Sequence, residues 1–361
     1  MTAETKPPEA PPPEAESEDE RVRKVGVVSR LLARPELGSV VLAIVVYVFF
    51  AIIAFDNNFV SWGSFASIMN AAAPLGILSV AVAMLMIGGE FDLSIGSIAG
   101  FSGMTIMVLV TSPDQGGFGW NLWPAIAVAL VLALAIGVFN GFLVVTTKLP
   151  SFIVTLGTLF IFRGLTIALT RSFTNRTQLG NLDEAPGYDL ADKVFASTIT
   201  IGGGTFSISI LWWFLLVAIA TWILLRMVWG NWIFGAGGDA NAARNVGVPV
   251  NRTKIALFMG TAFAAWLVAV IQAVQFTGAD TLRGTGQEFQ AIIAAVVGGT
   301  LLTGGYGSAI GAAFGAFIFA MVKQGIRITG VDGDWFMVFV GGVLVAGVIF
   351  NNYIRLKAVR K

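Results

Sequence analysis

The feature that most constrains this chain is its succession of long apolar runs. They fall at 37–55, 65–87, 94–111, 122–146, 151–170, 208–229, 254–275, 288–302, 305–322 and 334–353. Most approach the roughly 20 residues needed to cross about 30 Å of hydrocarbon. A soluble protein has one core in which to hide such segments, and so many would leave it aggregating. Composition agrees: 56% of the 361 residues are hydrophobic and 12% charged, against about 45–50% and 25% in soluble domains. The expected fold is all-α, a polytopic membrane helix bundle of about ten transmembrane helices. The runs 94–111 and 288–302 are short or glycine-rich, and 288–322 also reads as a re-entrant pair.

Charge sets the orientation. Arg21, Arg23, Lys24, Arg30 and Arg34 precede the first run, and Arg355, Lys357, Arg360 and Lys361 follow the last. Lys148, Arg226, Arg244, Arg252 and Lys254 fall in or beside segments that ten spans place on the same side. Basic residues collect in cytoplasmic loops, so both termini are expected inside. Trp62, Trp120, Trp123, Trp212, Trp213, Trp229, Trp232 and Trp335 stand at predicted span ends, where amphipathic rings suit the headgroup level. Residues 1–34 are a separate case. Thr5 to Glu20 is built from Pro, Glu, Ala and Ser and cannot bury enough surface to order itself. A disordered cytoplasmic tail with a basic juxtamembrane stretch is expected there, and a permeation domain over 35–361.

Absent residue types narrow the chemistry. The chain has no histidine and no cysteine. The commonest general base, metal ligand and nucleophilic thiol are missing, so neither a metal site nor a cofactor is expected. Net charge near zero gives nucleic acid no purchase; the expected surroundings are membrane lipid.

Four segments depart from a generic span. In Gly88-Gly89-Glu90-Phe91-Asp92-Leu93-Ser94-Ile95-Gly96-Ser97, two carboxylates stand between apolar runs. Such groups are costly near lipid and face a cavity or a partner. They read either as a tight turn, with Ser94 capping the next helix, or as a broken-helix element lining a path. Pro74 in the preceding run invites a kink. In the second segment, Asn140-Gly141 is followed by Lys148-Leu149-Pro150-Ser151-Phe152 and Thr155-Leu156-Gly157-Thr158. Arg163 lies beyond it, deep in an apolar run, and needs a partner or a water-filled cavity. The third, Gly235 to Pro249, carries an N-cap at Asp239, an Ala-rich run and a stop at Gly247. This predicts a two-turn helix within the loop 230–253. So short a helix is not stable alone in water, so it reads most simply as docking in a groove of a partner, with a plain amphipathic surface helix as the alternative. The fourth runs from Gln287-Glu288 through Gly298-Gly299-Thr300 to Gly304-Gly305-Tyr306-Gly307-Ser308 and Gly311. It is a glycine-rich hairpin without the Lys-Ser/Thr or preceding strand of a phosphate loop.

These segments, in this order, resemble the permease subunits of ABC importers of the ribose, xylose, arabinose and autoinducer-2 type. The resemblance covers roughly residues 60–350. The family's Gly-Gly-Ile-Asp-Leu-Ser-Val-Gly motif is met here by Gly-Gly-Glu-Phe-Asp-Leu-Ser-Ile-Gly. Glu90-Phe91 replaces the single usual apolar residue, and Leu149 replaces the first proline of Pro-Pro-Phe-Ile-Val-Thr-Leu-Gly-Thr.

The resemblance implies a multi-pass subunit of the bacterial inner membrane. It would carry a sugar or related small polar solute delivered by a periplasmic or lipid-anchored sugar-binding protein. It implies an ABC ATPase partner, with two fused nucleotide-binding halves, and a second permease copy or paralogue. ATP hydrolysis would belong to the partner, and the loop 230–253 would hold the coupling helix. Gly238, Asp239, Ala242, Ala243, Arg244 and Gly247 would form that element, with Ala242, Ala243 and Arg244 at the contact.

A permease fed by a binding protein needs a weakly polar path. The candidates are Asn70, Glu90, Asp92, Ser94, Phe152, Gln272 and Gln275, although interhelical hydrogen bonding is the commoner fate of a membrane amide. Two other readings compete. A secondary transporter would use Glu90 and Asp92 as its carboxylate pair, and a membrane enzyme would need a nucleophile and base that do not cluster here. Nucleosides and branched-chain amino acids stand as alternative solutes.

Overall fold

The computed structural model describes residues 35–55, 57–330 and scattered positions between 332 and 349. The expected tail 1–34 and most of the tenth run, 334–353, lie outside the described residues. The chain folds as a polytopic helical bundle. Among the described residues, seven helices are long and apolar enough to cross a membrane: α1 (Pro35–Ile53), α2 (Trp62–Ile87), α4 (Leu122–Thr147), α5 (Ser151–Thr174), α7 (Ser209–Arg226), α10 (Val250–Gln275) and α12 (Ala309–Thr329). Two shorter apolar helices, α3 (Ile95–Val110) and α11 (Gln287–Val297), complete the bundle. Between them come α6 (Tyr188–Ala191), α8 (Val228–Gly238) and α9 (Ala240–Asn245).

Burial grades the helices. α2, α10 and α12 are mostly enclosed, while α1, α5 and α7 keep apolar side chains outward. That is the arrangement lipid demands, since hydrocarbon solvates the outer faces. α10 packs along α4, α3 and α2, and α12 along α2 and α1. Glycine permits the closest approaches: a Cβ on Gly137 would lie 2.7 Å from the Phe258 carbonyl oxygen, and Gly76 leaves room for the Trp213 indole. Trp213, expected as an interfacial anchor, is therefore a core residue at 2% exposure. Pro74 does not break α2, which runs on to Ile87.

The run expected at 288–302 stops at Val297. There Gly298 and Gly299 end the helix, and α12 begins only at Ala309, behind an N-cap from Ser308 to the Gly311 N–H. α2 ends in the same way. Gly88, Gly89 and Glu90 bond back to Met84, Met86 and Leu85; Gly298, Gly299 and Thr300 bond back to Ala294, Val296 and Ala295. Gly89 and Gly299 both take positive φ, +83° and +94°, which is the reason for glycine at each. The run expected at 208–229 breaks at Met227, whose extended backbone turns the chain into α8.

The segments between helices sort to two ends. One end gathers 88–93, 148–150, 235–251 and 298–308. The other holds two small antiparallel sheets. β1 (Gln178–Leu179) pairs with β4 (Ala279–Asp280), and β2 (Thr198–Ile201) pairs with β3 (Gly204–Ser207) through a Gly202-Gly203 turn with both φ positive.

Candidate functional site

The first segment opens on a tight turn at Gly88-Gly89, and Ser94 stands at the cap position of α3. Residues 90–94 are non-helical and partly or fully buried, and α3 starts only at Ile95. The Phe91 N–H donates to the Ser151 hydroxyl at 2.9 Å, and the Leu93 N–H to the Thr155 hydroxyl at 3.1 Å. Non-helical backbone in a membrane must be met by protein groups, and α5 supplies them one turn apart. Asp92 is fully buried. Its Oδ1 accepts from the Ser94 N–H (2.9 Å) and hydroxyl (2.6 Å), and its Oδ2 faces the Thr261 hydroxyl at 2.6 Å. The Asn140 amide donates to the Ser94 oxygen at 2.9 Å. Ser94 occupies the cap position of α3 but makes no side-chain cap bond. Its hydroxyl belongs to this network, which ties the broken segment to α4 and α10.

Glu90 sits nearer the loop end and forms an ion pair with Lys254 of α10, both side chains largely buried. Breaking a buried pair from one side typically costs about 3–5 kcal/mol, because a charge is left unmatched. Lys254→Met alone is therefore expected to lower thermal stability in detergent sharply, and Glu90→Gln with Lys254→Met to recover most of the loss. Equal loss in the single and double variants would deny the coupling. Glu90 and Lys254 also line a cleft of about 570 Å³ with Lys148, Asn241, Arg244 and Asn251.

The third segment folds as its spacing predicts. Asp239 caps α9, accepting from the N–H groups of Asn241 (2.9 Å) and Ala242 (3.0 Å). Gly247 takes φ +86° and ends it. Arg244 donates to Asn241 and Asn251. Ala243 corrects the expectation of an outward contact. It is 6% exposed and packs on Ala236 and Val250, seating the helix on its own chain. Ala242 and Arg244 face outward, and Val246 is 81% exposed, an unpartnered apolar tip that residue type alone did not single out.

Just before α9, the end of α8 meets two glycine turns through bare backbone. A Cβ on Gly237 would overlap the Ile87 carbonyl and lie 2.8 Å from the Gly305 nitrogen, while the Gly305 N–H donates to the Ile87 carbonyl at 2.9 Å. A Cβ on Gly304 would lie 2.9 Å from the Gly89 Cα. The turn after α2, the last turn of α8 and the 304–305 turn of the 298–308 segment thus form one close-packed glycine joint.

The remaining candidates are scattered. Asn70 is at the sheet end, where its amide bonds the Thr205 carbonyl (2.8 Å) and the Ser207 N–H (2.9 Å). It staples the β2–β3 hairpin to α2. Asn70→Ala is expected to speed amide exchange in 198–207 by about tenfold, for roughly 1.4 kcal/mol lost, with the rest of the chain unchanged. No change in hairpin exchange would remove this role. Phe152 is half exposed on α5. Gln272 and Gln275 lie at the end of α10, and the Gln272 carbonyl accepts from Arg283. The structure brings Asp92 and Ser94 together but not Asn70, Phe152, Gln272 and Gln275. Thr261, Ser151 and Lys254, which complete the network, are ordinary residues in apolar runs, and only the fold shows their role.

A broken-helix membrane bundle with an exposed capped helix at one end defines a translocating subunit rather than an enzyme. The chain belongs to the family described as branched-chain amino acid transport system / permease component, whose profile matches residues 64–348. It is 30% identical over 288 residues to the inner membrane ABC transporter permease protein YjfF of Escherichia coli (strain K12), covering 80% of this chain and 83% of that protein. It is also 30% identical over 303 residues to the autoinducer 2 import system permease protein LsrC of Yersinia pestis (strain Pestoides F), covering 83% and 80%. No solved structure matches the chain. Permeases of this family work with an ATPase and a solute-binding protein. The secondary-transporter and membrane-enzyme readings fall away with that membership.

Proposed function

We propose that the chain is the translocating subunit of an ATP-driven importer for a sugar or sugar-like solute in the bacterial inner membrane. The end bearing 88–93, 235–251 and 298–308 faces the cytoplasm, where positive charge collects. A solute-binding protein delivers from the opposite side, onto the end with the two small sheets. A second permease copy completes the path, and an ATPase with two fused nucleotide-binding halves drives it. The solute class rests on the autoinducer 2 relatives and on the four segments quoted above.

The observation that carries the docking role is α9 itself. It is capped, seated by Ala243, and presents Ala242, Arg244 and an 81% exposed Val246 beside the glycine joint. A partner pressing on α9 pushes on the turn after α2, where the 90–94 segment starts, and on the 304–305 turn. The test is co-purification of the tagged chain with its ATPase from mild detergent. Arg244→Glu and Val246→Asp are each expected to cut recovered ATPase about tenfold, a cost of roughly 1.4 kcal/mol, without altering the elution profile. Full recovery with both variants would move the docking site elsewhere.

A further inference from the structure

α7 and α10 both pack on α2 but make no extensive contact with each other, and α8 packs on both at the loop end. Between them lies a groove of about 510 Å³. α2 contributes Val80 and Met84 to it, α7 contributes Ile219 and Ile223, α8 contributes Ile233, and α10 contributes Gly260. Every other residue lining it is also apolar. Gly260 is exposed, and a Cβ added there would meet nothing within 4 Å, so the chain leaves this space unfilled. In a membrane bundle the natural filling is an acyl chain. An empty slot forfeits packing contacts, and water finds no polar partner in it.

The loop end of this groove is basic. Arg252 stands about one helical turn before Ala256 on α10, and Ala256 and Gly260 carry the same stripe into the groove. Arg226 is the last residue of α7, one turn beyond Ile223 and next to Met227, both of which line the groove. Both arginines are exposed, and among the described residues neither forms an ion pair or a hydrogen bond. The nearby Lys254 is occupied elsewhere, paired with Glu90 in the cleft on another face of α10. No carboxylate lines the groove. Trp229 does, and its amphipathic ring suits the headgroup level. Two unmatched guanidinium groups therefore flank one end of an apolar slot.

We infer that this groove is a site for one anionic phospholipid of the bilayer, with an acyl chain in the slot and the phosphate between Arg226 and Arg252. The planar arginine fork takes two phosphate oxygens at once, and basic pockets between transmembrane helices hold anionic headgroups in this way. A zwitterionic phospholipid brings the same chains but carries its own cation beside the phosphate, which offsets the attraction of two arginines. The inference needs only the membrane position of the bundle and stands apart from the importer reading. α8 forms part of the groove and ends in the glycine joint at Gly237, so the bound lipid braces the helix that leads into α9.

The test is native mass spectrometry of the full chain, released from detergent with phosphatidylglycerol or with phosphatidylcholine of identical acyl chains. The unaltered chain is expected to retain one phosphatidylglycerol about tenfold more strongly than phosphatidylcholine. Arg226→Gln combined with Arg252→Gln is expected to make the two lipids equal. Gly260→Leu, which puts a side chain into the open slot, is expected to lose the adduct of both. Equal retention of the two lipids by the unaltered chain overturns the site. A preference that survives the arginine changes overturns the headgroup assignment, and undiminished retention by Gly260→Leu places the lipid elsewhere. If Gly260→Leu does not fold, the arginine pair decides. An adduct carried by the monomer but excluded from a dimer makes a second copy of the chain the occupant and overturns the lipid. Hydrogen exchange over 228–238 is then compared in nanodiscs of each lipid. Phosphatidylglycerol is expected to slow it about threefold in the unaltered chain and not in the arginine double variant; no difference overturns the bracing of α8.

Discussion

Asp92→Ala is expected to abolish recovery of folded protein, whereas Asp92→Asn leaves it near normal. The alanine removes the acceptor of the Ser94 N–H, the Ser94 hydroxyl and the Thr261 hydroxyl in a site with no solvent exposure. Each buried group left unpaired costs about 1–3 kcal/mol, so the sum is a large part of a typical 5–15 kcal/mol stability. Asparagine keeps the Oδ1 bonds to Ser94. Its Nδ2 can donate to the Thr261 oxygen, because the Thr261 hydrogen has a second acceptor 2.9 Å away in the Phe258 carbonyl. The check is the melting temperature and the monodisperse peak of each variant in detergent. If asparagine unfolds the protein as alanine does, the network depends on the charge and not on acceptor geometry. If asparagine folds but does not transport, the carboxylate also serves permeation.

Gly237→Ala is expected to uncouple the chain from its ATPase, and its neighbour Gly238→Ala to change nothing. A methyl group at 237 would overlap the Ile87 carbonyl and crowd the Gly305 nitrogen, both backbone atoms that no rotamer change can move. Overpacking of this kind costs about 1–3 kcal/mol or more. Relief requires α8 to withdraw from the turn after α2 and the 304–305 turn, breaking the joint beside α9. At Gly238 an added methyl meets nothing within 4 Å, and alanine also favours the helix. Solute-stimulated ATPase activity of the reconstituted importer separates the two. A loss of about tenfold or more is expected with Gly237→Ala, and an unchanged value with Gly238→Ala. Equal activity in both variants would mean that the joint transmits nothing.

Much of this architecture was readable from residue types because lipid is so restrictive a solvent. Apolar length marked the segments that the bilayer takes up, seven of which are long enough to cross it among the described residues. Asp239 and Gly247 announced α9 for local reasons, since a carboxylate cap and a positive-φ stop act within a few residues. The expectation failed where a residue's role depends on a distant neighbour. Ala243 turned inward because Ala236 and Val250 lie beneath it. Trp213 left the interface because Gly76 leaves room for its ring. The run at 288–302 ended early because Gly298 and Gly299 act together as a helix stop. Arg163 was conspicuous in the sequence, but its partner, the Thr285 hydroxyl, lies 122 residues away.

The sequence by itself determined that this is a membrane-embedded helical permease with a short capped helix in one loop. Hydrophobic length, basic loops and local capping are properties of short stretches and need no fold to be expressed. Only the tertiary structure decided which polar groups meet. It pinned the non-helical 90–94 segment to α5, placed Asp92 between Ser94 and Thr261, and set the first turn of α11 against that of α3. Those outcomes depend on satisfying backbone and side-chain polar groups where water is absent, and that condition is met only by packing the whole chain at once.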